Sequence, residues 1–375
     1  MTSSADYIWR CDLVPQYLAY QPEVLAAVER VLGSGRYTLG DEVQRFEKAF
    51  ARYVGMPYGV GVASGTDGLI LALKMIGVGP GDEVITTPYT AIPTCSAIVA
   101  SGATPVFADI DPHTYLIDLE QVVRGVTAKT KAVMPVHIFG NVVDIDQLRA
   151  MVPERVQIIE DAAQAHGSTV GGKQAGGLAD LSVFSFYPTK NLGGYGDGGL
   201  VCARHAEADT MLRRLRMYGM TSKDHIVIHG VNSRLDELQA AILSVKLEHL
   251  DAMNARRRHI AQRYYSGAGD DLLRYQVIPP GVVSNYHVFV ARVAGGRRDA
   301  LVSFLEQRGI QTNIYYVVPL HLQEANRYLG YRRGDLPKVE QVCDEAIALP
   351  LYPELEDAKL DRIIDALNEF ARCRA

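Results

Sequence analysis

The chain has 375 residues, 48% hydrophobic and 22% charged, enough apolar material for a large core and two domains. Lys and Arg total 38 against 43 acidic residues, a net charge of −5 with no basic run, which argues against nucleic acid or an acidic membrane surface as the main partner. No apolar segment opens the chain, none reaches the roughly 18 residues of a membrane span, and the five cysteines (Cys11, Cys95, Cys202, Cys343, Cys373) form no CxxC, so reduced thiols in a cytoplasm are expected.

In chain order, the first 50 residues read as an arm and a helix leaning on the large domain. From about residue 58 to 205, short Val- and Ile-rich runs alternate with helical patterns. "YGVGVAS", "EVITTP", "TPVFADI", "KAVMPVHI", "VQIIEDA", "LSVFSF" and "GGLVCA" read as strands, and "DGLILALKMIG" and "DIDQLRAMV" as helices between them. Nearly continuous apolar strands with crossovers predict an α/β domain around a mostly parallel mixed sheet covered on both faces. A long helix is expected from about 233, capped by Ser233, with Leu235, Leu238, Ile242, Val245 and Leu250 at helical spacing. Beyond it, "YHVFVARV" and "GIQTNIYY" read as strands and 297–308 and 356–372 as amphipathic helices. The expected division is 1–250, an arm and large domain, and 251–375, a smaller α+β domain.

Three stretches carry chemistry. In "VASGTDGLILAL" (62–73) a strand ends and an apolar helix begins at Ser64-Gly65-Thr66. Free N–H groups at a helix start, with a glycine allowing close approach, suit a phosphate; an ordinary cap is the plain alternative. In "IIEDAAQAHG" (158–167) two acids end an apolar strand, where open parallel sheets place ligands. Asp161 is either a helix cap or the partner of a buried cation, Gln164 would follow on the same helical face, and His166 reads as a packed histidine. In "SFYPTKNLGGYGDGG" (185–199) Lys190 stands between an apolar run and five glycines, with Ser185 a further hydroxyl. A partly desolvated lysine has a lowered pKa and serves as an amine nucleophile toward carbonyls. A G-x-G-x-x-G pattern falls in this loop, but strand-like "LVCAR" follows where a dinucleotide motif needs a helix. A reactive lysine, an acid for a ring nitrogen and a phosphate cradle are the parts of a pyridoxal 5'-phosphate site.

The chain resembles the sugar aminotransferases of the DegT/DnrJ/EryC1/StrS family, which have the aspartate-aminotransferase type fold. The resemblance runs through "SGRYTLGDEVQRFEKAFARYVG", "GDEVITTPYT", "SGATPVFADID", "PVHIFGN", "IIEDAAQAHGS", "SFYPTKNLGGYGDGG", "GVNSRLDELQAAIL" and "VPLHLQ", nearly the whole length. It implies that Lys190 bonds the cofactor and relays protons, that Asp161 holds the pyridinium proton, and that Gln164 meets the ring's phenolic oxygen side. It further implies that Gly65, Thr66 and Ser185 hold the phosphate and that Asn232 reaches the cofactor of a neighbouring subunit, hence a homodimer. Where members often stack an aromatic residue on the ring this chain has Ala91, so either that face is less covered or Tyr89 helps; Tyr315 replaces a frequent histidine. A lysine at 190, where some relatives carry histidine, argues against a deoxygenating dehydratase.

The implied reaction takes an amino group from L-glutamate and gives it to a nucleotide-linked keto-6-deoxyhexose, C3 favoured over C4. Arg36, Tyr89, Tyr315, Tyr316 and His321 are candidate sugar or diphosphate contacts. The alternatives are a glutamine-dependent aminotransferase of a cyclitol ketone and a non-catalytic regulator of the same fold.

Overall fold

The computed structural model describes residues 7–268 and 272–372. Cys373 lies outside them. Each of the seven predicted runs is a strand of one sheet: β1 (Tyr58–Val62), β2 (Glu83–Thr86), β3 (Thr104–Phe107), β4 (Thr130–Met134), β5 (Gln157–Asp161), β6 (Leu181–Ser185) and β7 (Gly199–Ala203). Their order is β1-β7-β6-β5-β4-β2-β3. β7 runs antiparallel to both neighbours and every other pair is parallel. Val60, Val84, Val133, Ile159, Val183 and Val201 are wholly buried, as strands covered on both faces must be. Each such side chain contributes roughly 1.5–3 kcal/mol of transfer free energy.

Register decides what meets at the site. Val62 and Ser185 both pair with Gly199, and Val183 pairs with Asp161, so the C-terminal ends of β1, β5 and β6 share one edge. A Cβ at Gly199 would lie 2.5 Å from the Ser64 carbonyl, which is why a glycine opens β7. The other loop glycines serve the chain's own close packing. A Cβ at Gly193 would lie 2.3 Å from the Pro188 carbonyl oxygen, and one at Gly194 would lie 2.6 Å from Gln239 Oε1.

The N-terminal segment holds two helices, α1 (Val14–Ser34) and α2 (Asp41–Val54). The long helix spans Glu237–Gly267 and continues unbroken through residue 250. Ser233 does not cap it: its hydroxyl donates to Asp67 Oδ2 at 2.7 Å and accepts from the Ala63 N–H at 3.1 Å. Glu237 instead caps α2, its carboxylate accepting from the N–H groups of Gly40, Glu42 and Val43 at 2.7–3.0 Å. Beyond it, Leu273–Tyr275, Phe289–Val293 and Ala346–Leu349 form an antiparallel sheet. The helices Arg298–Gln307 and Asp357–Arg372 cover it through Leu301, Leu305, Leu360, Ile363 and Leu367. The segment 309–316 is not a strand. It makes only the isolated bridges Ile8↔Ile310 and Asn313↔Ala348, and the left-handed backbone of Tyr316 (φ 61°) breaks the pleat. No described helix is long and apolar enough to cross a membrane.

Candidate active site

The shared edge opens into a cavity of about 250 Å³. Gly65, Thr66, Asp161, Gln164, Ser185 and Lys190, drawn from three distant stretches, all line it.

One wall is the start of the helix α3 (Gly65–Met75). Ser64 caps it, its hydroxyl accepting from the Asp67 N–H at 3.1 Å. That bond leaves N–H groups of the first turn unpaired inside the helix, at its positive end. A Cβ at Gly65 would sit 2.8 Å from Ser185 Cβ, so glycine keeps the cradle open while Ser185 and Thr66 bring hydroxyls to its rim.

The floor is the end of β5. Successive side chains of a strand point to opposite faces, and here that separates the two acids. Glu160, fully buried, accepts from His137 Nε2 at 2.8 Å and from the N–H groups of Gly176, Leu178 and Ala179, which fixes the loop behind the sheet. Asp161 turns to the cavity. Its Oδ2 accepts from Thr94 Oγ1 at 2.8 Å and its Oδ1 from the Ala163 N–H at 3.2 Å. Burial raises the Asp161 carboxyl above its usual range, against the lowering pull of those two bonds and of Lys190.

No helix follows Asp161: residues 162–168 are turns, because Gln164 and Ser168 bond the backbone of Phe139 and Gly140 and take the chain away from the helical path. The turn still brings Gln164 to the cavity. Gln164 Oε1 accepts from the Phe139 N–H at 2.9 Å, and Nε2 donates to Tyr316 Oη at 3.2 Å, leaving one amide hydrogen free. Phe139 (φ 57°) and Tyr316 both sit in the left-handed region, a strain of about 1 kcal/mol or more each that the amide bridge helps hold.

Lys190 lies in the turn after β6, its N–H donating to the Tyr187 carbonyl at 2.8 Å. Burial pushes its ammonium down to about 8, with Asp161 opposing. His166 is a packed histidine among Phe50, Phe184 and Phe186, held neutral by burial.

Other expected contacts lie elsewhere. Tyr89 is wholly buried, edge-on to Tyr115, Phe139 and Tyr316, and cannot cover a ring in the cavity; Ala91 lines it instead. His321 is 1% exposed and paired with Glu340 at 3.1 Å, which places it in the packing beneath the helix from Pro337. Arg36 is solvent-exposed, 4.0 Å from Asp41. Tyr315 bonds Arg10, while Tyr316 reaches the site through Gln164. Asn232 is exposed and does not line the cavity. Thr94 and Tyr187 also line the cavity, though the sequence motifs do not single them out; for Tyr187 its place three residues before the lysine is the available signal.

The DegT/DnrJ/EryC1/StrS aminotransferase family model matches residues 19–368. The chain belongs to that family. It is 43% identical over 364 residues to the dTDP-3-amino-3,4,6-trideoxy-alpha-D-glucose transaminase of Streptomyces venezuelae, covering 96% of this chain and 95% of that one. It is 42% identical over 363 residues to a pleiotropic regulatory protein of Geobacillus stearothermophilus, covering 96% and 98%. The crystal structure of S. venezuelae DesV in complex with a ketimine intermediate superposes with a TM-score of 0.96 at 41% identity, covering 98% of this chain and all of that one.

The donor set fits pyridoxal 5'-phosphate. A helix N-terminus with two hydroxyls suits the phosphate, a buried carboxylate without a cation in ion-pair contact suits the pyridinium, and a depressed lysine suits the aldehyde carbon.

Proposed function

We propose that this aminotransferase uses pyridoxal 5'-phosphate to move an amino group from L-glutamate to C3 of a nucleotide-linked keto-6-deoxyhexose. The observation that carries the reading is Lys190, lowered to about 8, facing the buried Asp161 across a cavity that ends on the N-terminus of α3.

When bound, the cofactor supplies an electrophilic aldehyde and a ring that withdraws electrons from the substrate carbon. Gly65, Thr66 and Ser185 anchor the phosphate. Asp161 keeps a proton on the ring nitrogen, and Thr94 fixes the carboxylate that does so. Gln164 offers its remaining N–H beside Tyr316. Lys190 Nζ accepts the proton the donor's carbon gives up and returns one to the acceptor's, a task that needs a pKa near the working pH.

The sugar assignment follows the S. venezuelae relative, whose name specifies a dTDP-linked 3-amino sugar. The relative named as a regulatory protein keeps the non-catalytic reading in view, and the intact Lys190, Asp161 and Gln164 favour catalysis. The exposure of Asn232 supports its reaching into a second subunit of a cytoplasmic homodimer. The test is incubation with glutamate and a panel of dTDP-, UDP- and GDP-linked 3-keto and 4-keto sugars and a cyclitol ketone, with NMR of the product. A 3-amino-6-deoxyhexose is expected; a 4-amino sugar, an aminocyclitol or no product would contradict the reading.

A further inference from the structure

The long helix Glu237–Gly267 holds the loop that follows Lys190. Three of its side chains reach Asn191-Leu192-Gly193-Gly194-Tyr195. Gln239 Oε1 accepts from the Tyr195 N–H at 2.9 Å, Lys246 Nζ donates to the Gly193 carbonyl, and Asn254 Oδ1 accepts from Asn191 Nδ2 at 2.8 Å. Spacings of seven and eight residues put the three on about one side of the helix. Asn254 also donates to the His166 carbonyl at 2.8 Å, so the helix that holds the lysine loop also holds the turn bearing Gln164.

Lys246 is the odd member. It stands between Leu243 and Leu250 on the helix's buried stripe, where the pattern calls for a third hydrophobic residue, and it is 1% exposed. It makes no ion pair among the described residues, and the Glu354 carboxylate acts on it only at longer range. Burial brings its ammonium down to about 8. Its two contacts both belong to the lysine loop: the Gly193 carbonyl, and the Tyr195 ring, whose centroid lies 4.9 Å away. An apolar side chain of similar length would avoid the desolvation of a charge, so the ammonium is kept for what it holds.

That hold reaches Lys190 because the loop has no slack. A Cβ at Gly193 would lie 2.3 Å from the Pro188 carbonyl oxygen and 2.8 Å from that of Tyr187, which itself takes the Lys190 N–H. The Gly194 N–H donates to the Phe186 carbonyl at 2.8 Å and closes the loop over the end of β6. Burial and Asp161 set the charge of the Lys190 amine, with His166 and His287 kept neutral beside it, so Lys246 acts through place and not through charge.

Resting on the reading of Lys190 as the working amine, we propose that Lys246 is its positioning residue: together with Gln239 and Asn254 it pins the loop 191–195 to the long helix and so sets where the Lys190 amine stands in the cavity.

The test joins steady-state kinetics of the holoenzyme to peptide-resolved amine labelling of the full chain before cofactor is added. Lys246→Met keeps the length and removes the charge and its N–H. The kcat is expected to fall about tenfold or more with both KM values within about twofold. The Lys190 labelling midpoint should rise by about half a pH unit or more, as the released loop admits water. The thermal midpoint should stay within about 3 °C of wild type, since ending the burial of an ammonium offsets the lost bond. Gln239→Leu releases Tyr195 instead; it should move kcat and the labelling midpoint in the same directions, and it decides the matter if Lys246→Met does not fold. A lowered thermal midpoint with kcat and the labelling midpoint at wild-type values would reduce Lys246 to packing and overturn the role. A raised KM at unchanged kcat would overturn it as well. A moved Lys190 midpoint, in a protein whose wild type turns over neither glutamate nor any keto-sugar, would sink the proposed function and leave the positioning role standing.

Discussion

Thr94 Oγ1 donates a 2.8 Å hydrogen bond to Asp161 Oδ2, tying the helix Ile92–Ala100 to the end of β5 at the cavity floor. The bond favours the charged carboxylate, which burial disfavours. Thr94→Val removes the donor while keeping the shape, so the Asp161 carboxyl pKa moves further up. The acid limb of the pH–activity profile should then shift to higher pH, with about tenfold or greater loss of cofactor affinity, the usual cost of a lost bond to a charged group. Spectroscopic titration with pyridoxal 5'-phosphate and a pH–rate profile check this; an unmoved acid limb would count against the role given to Thr94.

Lys190, lowered to about 8 by burial, should react with an amine-directed reagent in the cofactor-free protein with a midpoint near pH 8, not 10.5. Asp161 raises that value, so Asp161→Asn should lower the midpoint further while abolishing turnover. Peptide-resolved labelling against pH measures both. A midpoint that stays near 10 would show the amine to be solvated.

Gly65→Ala places a Cβ 2.8 Å from Ser185 Cβ, in the cradle rather than in the core. Affinity for pyridoxal 5'-phosphate is expected to fall about tenfold, with a stability cost of about 1–3 kcal/mol from overpacking. Affinity equal to wild type would place the phosphate elsewhere.

Glu160→Gln turns an acceptor of three backbone N–H groups and His137 into a group that must point an NH₂ at one of them. Breaking this buried network should cost about 3 kcal/mol and lower the thermal midpoint by several degrees, read by calorimetry. A wild-type midpoint would remove Glu160 as the staple of the 174–179 loop.

Shared sites can be tested by mixing Lys190→Ala and Asn232→Ala subunits, each inactive alone. Hybrid dimers hold one site with both defects and one with neither, so roughly a quarter of wild-type activity should return on random pairing. No recovery in verified hybrids would place Asn232 outside the partner's site.

The seven strands were legible because each is a short Val- and Ile-rich run bounded by turn residues, and the three motifs at their ends carried the cavity. Local pattern misled where a distant group took over. Ser233 was spent on Asp67 and Glu237 on α2, so the long helix begins later than its cap suggested. Residues 162–168 are held as turns by Gln164 and Ser168, which reach across to the backbone of Phe139 and Gly140. Tyr89 and His321 carry polar tips that look like ligands in a sequence, and only packing shows the Tyr89 ring walled in by Phe139 and Tyr115 and His321 paired with Glu340. Thr94 gave no local signal, since its partner lies 67 residues away at Asp161.

The most direct measurement is borohydride reduction of the purified protein after incubation with pyridoxal 5'-phosphate, followed by peptide mass spectrometry. The pyridoxyl group is expected on Lys190 alone, and in Lys190→Ala on no residue. A modification spread over surface lysines, or one located on Lys246, a buried lysine that desolvation also lowers to about 8, would contradict the assignment of Lys190 as the reactive amine.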